Sequence, residues 1–151
     1  MELSLKGGSE MHYHKSFTET FIAKKDAIEL KIEETTQVLN NGAQVSVLPL
    51  TLHKFYNPND YPVLFEVKIQ PASINFEAFL QIMYGLARDG KTNKKGIPRN
   101  LLDIGAISLL GETYPPRLSL LNVLSQIFRY IGHLAEKRGV LSQLRDRYVQ
   151  F

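Results

Sequence analysis

The chain has 151 residues, 18 Lys and Arg against 15 Asp and Glu, and no cysteine. That length fits about one domain with a sizeable core, and the missing thiols exclude disulfides, thiolate metal sites and cysteine nucleophiles. A net charge of +3 is too small for a nucleic-acid-binding tail, although it is uneven: up to Pro71 seven basic residues stand against nine acidic, and after it eleven against six.

The first twenty residues hold Lys6, Glu10, His12 and His14 and no apolar run of signal-peptide length, which predicts a cytoplasmic protein. Ala27–Ile32 alternates apolar and polar residues and predicts a half-buried strand, as do Val45–Leu48 and Val63–Ile69. The last of these puts Val63, Phe65, Val67 and Ile69 on one face. Asn40-Asn41-Gly42 and Asn57-Pro58-Asn59-Asp60 are turn sequences, because Asn and Gly tolerate positive φ and Pro removes a ladder donor. Short strands at this spacing predict a sandwich or barrel.

After Pro71 the period becomes helical. Phe76, Phe79, Leu80, Met83 and Ala87 form one stripe, with Ser73 or Asn75 as the N-cap, and Gly90 ends the segment. Lys91–Gly96 is a basic loop whose Lys91, Lys94 and Lys95 either meet an anion or are simply solvated. A short helix is predicted over roughly Leu101–Leu110, and Pro115-Pro116 breaks the chain. In a third helix Leu120, Leu121, Leu124, Ile127, Phe128, Ile131, Leu134 and Ala135 face one way, and Asn122, Ser125, Gln126, Arg129, His133 and Glu136 the other. That polar stripe argues against Leu118–Ala135 as a membrane span and for docking onto the β part or a second subunit. His133 on the polar stripe is expected at the surface.

Chemistry concentrates at His12, His14, Glu19 and His53. Residues two apart on a strand share a face, so His12-Tyr13-His14 aims two imidazoles at one point. Lys15–Thr18 reads as a short polar turn, and Glu19 opens the next strand beside the His pair, ahead of Phe21 and Ile22. Three imidazoles and a carboxylate suit Zn, Fe, Mn, Ni or Cu better than Ca or Mg. A bare His-x-His is also explained by solvated strand ends or satisfied core residues. His53 lies 39 residues beyond His14, and no local rule brings it back.

The segment from Gly7 to Pro71 resembles the cupin superfamily, whose motifs are written G(X)5HXH(X)3,4E(X)6G and G(X)5PXG(X)2H(X)3N. His12, Tyr13 and His14, four further residues and Glu19 match the centre of the first. Gly42, His53 and Asn57 match the second at every spacing. The first motif's two glycine positions hold Lys6 and Asp26; the second motif's Pro and later Gly positions hold Leu48 and Leu50, with Pro49 between them. The resemblance implies a small antiparallel β-barrel (jelly roll) over residues 1–71, with His12, His14, Glu19 and His53 binding one divalent transition metal ion. It leaves 72–151 as a helical C-terminal extension of about three helices, packed on the barrel or on a partner subunit. Phe21, Phe55, Phe65 and Asn57 are candidate pocket-lining residues, with plain core packing and an Asx-type turn as the respective alternatives.

The expectation is therefore a mainly β chain with a C-terminal α part, binding a metal and a small-molecule ligand, with no nucleic acid and no membrane partner. A metal-dependent oxygenase or isomerase is the leading reading, and a non-catalytic binding or sensing module the alternative. Three amphipathic helices on about 65 residues of barrel predict a homodimer.

Overall fold

The computed structural model describes every residue except Met1, Lys95, Leu118 and Phe151. It divides into two compact units: the chain up to Ala72 together with Thr113–Arg117, and the helical remainder.

The first unit holds seven strands: β1 Glu2–Leu3, β2 Thr18–Lys25, β3 Ile28–Ile32, β4 Thr35–Leu39, β5 Gln44–Val47, β6 His53–Tyr56 and β7 Val63–Gln70. They form two antiparallel sheets, one in the order β1-β7-β2-β5 and one in the order β4-β3-β6. This departs from the expected closed barrel, because no ladder among the described residues joins the two sheets. Alternation supplies the core: Phe21, Ala23, Val47, Val63 and Phe65 of the first sheet pack with Ile28, Leu30 and Leu39 of the second. The Asn40-Asn41-Gly42 turn joins β4 to β5, with Gly42 at φ 82°.

Ahead of β2, residues 7–14 run antiparallel along β6 through isolated bridges, Gly8 to Tyr56 and His12 to His53. Gly8 is required there, since a Cβ would sit 2.5 Å from the Phe55 carbonyl oxygen.

The second unit contains α1 Ile74–Arg88, α2 Leu101–Ser108, α3 Leu120–Lys137 and α4 Val140–Tyr148. The last is a fourth helix where about three were expected. Ser73, Asn100 and Ser119 cap the first three, each accepting a backbone N–H two or three residues on. The predicted stripe of α1 holds in part: Phe76 is buried and Phe79 and Met83 pack against the core, but the most deeply buried line is shifted by one position. Ala78, Ile82 and Leu86 are its buried line and Ala87 is exposed. The reason is α4: the Tyr148 ring lies where a Gly85 Cβ would stand, so Gly85 faces inward to admit it. Gly105 of α2 and Gly132 of α3 meet in the same way, backbone against backbone. No described helix is long and apolar enough to cross a membrane. Of the basic loop's lysines, Lys91 lies 5.9 Å from the Tyr148 ring centroid, while Lys95 is outside the described residues, as is Leu118 at the head of the third predicted helix.

Candidate metal centre

His12, His14, Glu19 and His53 converge. Each offers one ligand atom, and these atoms lie within 4.8 Å of one another. Among the described residues this is the one cluster of three or more such side chains.

Three separate stretches of chain bring them together. His12 and His53 face each other across a backbone bridge, each N–H donating to the other's carbonyl at 3.0 and 2.8 Å. His14 follows two residues on, so its ring returns to the same face; the His12 and His14 ring centroids are 5.0 Å apart. Glu19 comes from the other sheet. Its strand, β2, pairs with β5 and β7 rather than with the His pair, a difference from the hairpin neighbour expected from sequence. The carboxylate therefore reaches the imidazoles across the gap between two facing sheets. His14, Glu19 and His53 are buried, and His12 is partly so.

Hydrogen bonds orient two of the rings. Nδ1 of His12 lies 2.7 Å from the Glu10 carbonyl and Nδ1 of His53 lies 2.9 Å from that of Thr51. A carbonyl only accepts, so each Nδ1 carries the proton and each neutral ring presents an Nε2 lone pair. This is how metal-ligating imidazoles are commonly held. Yet His53 Nε2 stands 2.9 Å from Glu19 Oε2, with His14 Nε2 at 3.3 Å from the same oxygen. A lone pair facing a carboxylate oxygen at that distance calls for a cation, either a proton on the ring or a metal ion. The donor set fits such an ion, being imidazole nitrogen and carboxylate oxygen of the kind that holds borderline divalent metals.

The electrostatics agree with ligation. Burial, then the neighbouring His53, push the His12 imidazole down to about 4, against the Glu10 carbonyl, which raises it. Burial alone would raise Glu19, but in the metal-free protein protons on the His14 and His53 nitrogens that face it supply hydrogen bonds and charge that outweigh burial and hold the carboxyl down to about 2; a metal ion would take the place of those protons. At neutral pH His12 is neutral and Glu19 ionised, the states that coordination requires.

The remaining sequence candidates separate. Phe21 and Phe65 are fully buried core residues, and Phe21 also meets His53 with ring centroids 6.0 Å apart. Phe55 lies tilted against the core rings, 5.2 Å from Phe65 and 5.7 Å from Phe21. Asn57 acts as a loop clamp: its amide donates to the carbonyls of Leu3, Ser4 and Tyr61, and its oxygen accepts the Asn59 N–H as in an Asx turn. His133 is exposed beside Glu136, as expected. Sequence reasoning missed Phe17. The stretch Lys15–Thr18 is not a wholly polar turn, because Phe17 is fully buried and stacks on His14 with ring centroids 4.4 Å apart. An aromatic residue alone among polar neighbours was the available signal.

The family's glycine positions carry a second correspondence. Lys6, Asp26 and Leu50 adopt φ of 52°, 64° and 67°, and Gly42 adopts 82°. All four sites thus keep left-handed backbone, although three have no glycine.

Among solved structures the chain is similar to an RmlC-like cupin from Shewanella frigidimarina, at 16% identity and TM-score 0.45 over 50% of this chain and 65% of that one. It is similar to a cupin 2 conserved barrel domain protein from Salinispora arenicola, at 22% and 0.43 over 47% and 59%. It is also similar to a sugar phosphate isomerase from a cupin superfamily from Silicibacter pomeroyi, at 22% and 0.42 over 48% of each chain. The chain spans less than two thirds of the length of each of them. No family model matches the chain, and no curated protein matches it.

Proposed function

We propose that the β unit binds one divalent transition metal ion through His12, His14, Glu19 and His53, and that this centre serves a metal-dependent enzyme acting on a small molecule. The observation that carries the reading is the facing pair His53 Nε2 and Glu19 Oε2 at 2.9 Å, with the ring's other nitrogen committed to a carbonyl. Four protein ligands leave a five- or six-coordinate ion positions for an outside molecule, and such an ion supplies Lewis acidity and a template for a chelating substrate. The protein's own part is to hold the His12 imidazole neutral, keep Glu19 ionised and bury the donors. Oxygenase or isomerase chemistry on an enol or diol fits these roles. Oxygen uptake and substrate isomerisation, followed with a panel of chelating diols and enols on metal-loaded protein, test it; His53→Ala is the control.

One observation favours the second reading, a binding or sensing module. Tyr13, between the two imidazoles, stacks on Tyr114 at 5.5 Å instead of turning toward the cluster, so the His-x-His segment brings no proton donor besides the rings. Tight binding of the same ligands without turnover is the result that selects this reading.

We infer also that two copies pair through α3. Leu120, Val123, Leu124, Ile127, Tyr130 and Leu134 form one exposed stripe, with Leu120 and Tyr130 at 74% and 78% exposure. Like surfaces of this kind pair about a two-fold axis. Two such stripes offer on the order of 1,000 Å² of apolar surface, about what a stable interface needs. Light scattering should give a dimer at micromolar concentration and a monomer for Ile127→Glu with unchanged helix content. A wild-type monomer overturns the pairing.

A further inference from the structure

The His-x-His segment has two edges, and only one of them faces β6. Successive residues of an extended chain send their backbone groups to opposite sides. His12 exchanges both hydrogen bonds with His53, and the His14 carbonyl accepts the Leu50 N–H at 2.7 Å, on that same side. Tyr13 sends its N–H and carbonyl the other way, where an unpaired edge would stand between the two imidazoles.

That edge is filled by a residue from far along the chain. Tyr13 N–H donates to the Tyr114 carbonyl and Tyr114 N–H to the Tyr13 carbonyl, each at 2.9 Å. The two rings stack at 5.5 Å and 26°, and the Lys15 ammonium lies 3.9 Å from the Tyr114 ring centroid. Tyr114 belongs to Thr113–Arg117, the short segment that lies between α2 and α3 in sequence and is part of the β unit. Pro115 and Pro116 follow at once, and since Pro has no N–H to give, the contact stays a single bridge.

We propose that Tyr114 is the positioning residue of the metal centre: it clips the free edge of Tyr13 and so fixes His12 and His14, on either side, in ligating position. The inference rests on the metal assignment above, but its geometric content stands apart from it. Tyr114 acts on the rings through the Tyr13 backbone, which it bridges, and through the Lys15 side chain over its ring. Metal affinity then depends on a segment outside both of the motifs that supply the ligands.

The experiment compares wild type, Tyr114→Ala, Tyr114→Phe and Lys15→Gln by two readouts. One is Co²⁺ affinity by calorimetry, with the visible spectrum of the bound ion; the other is hydrogen exchange of the Tyr13 amide in metal-free protein. Tyr114→Ala should weaken Co²⁺ roughly tenfold, the lower end for groups that orient ligands, and speed Tyr13 exchange. Tyr114→Phe keeps the ring and should restore both, while Lys15→Gln should fall between. Lys15 is exposed, so that variant remains informative if Tyr114→Ala does not fold. Unchanged Tyr13 exchange in Tyr114→Ala, or in Lys15→Gln where the former is unfolded, overturns the clip. No Co²⁺ binding by wild type, with Tyr13 exchange still dependent on Tyr114, overturns the metal assignment and upholds the clip as a structural device.

Discussion

Glu19 Oε2 lies 2.9 Å from His53 Nε2, although the two residues sit in different sheets that share no ladder among the described residues. The contact links one sheet to the other through buried polar groups. A buried carboxylate is stable there only with a cation or hydrogen-bond donors around it. Metal binding should therefore stabilise the fold as well as equip it. At about a hundredfold excess over Kd, a bound ion contributes roughly 2.7 kcal/mol, which raises Tm by about 5–10 °C for a chain of this size. A thermal melt with and without Zn²⁺ or Mn²⁺ checks this; His53→Ala and Glu19→Gln should show no metal-dependent rise and carry less than a tenth of the metal.

The pH dependence of the metal-free protein follows from the same groups. Unfolded, His12 takes up its proton near 6.5, whereas folded it resists until about 4. In that window the unfolded chain binds more protons, so stability falls as pH drops from about 7 to 4. The full effect is on the order of 3 kcal/mol. Glu19 continues the trend: its depressed carboxyl contributes stability above pH 4.5 that is lost as pH falls toward about 2. Urea midpoints across this range should decline steadily, and His12→Asn should flatten the upper part of the curve and leave the lower part.

The left-handed turns give a prediction in the opposite direction. Leu50 adopts φ 67° and is 63% exposed, so its side chain gains little from packing. Left-handed backbone costs a residue with a Cβ roughly 1–2 kcal/mol, partly offset by glycine's greater freedom in the unfolded chain. Leu50→Gly should raise stability by about 0.5–1 kcal/mol, and Asp26→Gly by a similar amount, read as a Tm increase of a few degrees. The Leu50 N–H to His14 carbonyl bond survives the change, so metal affinity should hold.

Strands with strict alternation were legible in the sequence: β3 and β7 lie within a residue of their expected bounds, because a one-residue slip would expose Leu30 or Phe65. The ligand types and their spacing were legible as well. The partner of β2 was not, since alternation tells which face is buried but not which strand lies alongside. The phase of α1 was legible only in part, for a related reason. Phe76, Phe79 and Met83 do face the core, but the close approach of the Tyr148 ring to Gly85 turns Ala87 outward. Tyr114 left no local trace at all, because its contact with Tyr13 bridges about a hundred residues of sequence.

Phe17 provides the last test, because it separates packing from chemistry at one position. Its ring is fully buried and stacked on His14 at 4.4 Å. Phe17→Ala removes both the buried surface and the wall that keeps the imidazole from swinging, and should cost about 3–5 kcal/mol. Phe17→Leu restores most of the buried surface but not the flat face, so its stability loss should be under about 1.5 kcal/mol, as for swaps that nearly keep volume. If the stack orients His14, metal affinity in Phe17→Leu should still fall severalfold. Calorimetric titration of both variants, set against their melts, distinguishes a ring that merely fills space from one that aims a ligand.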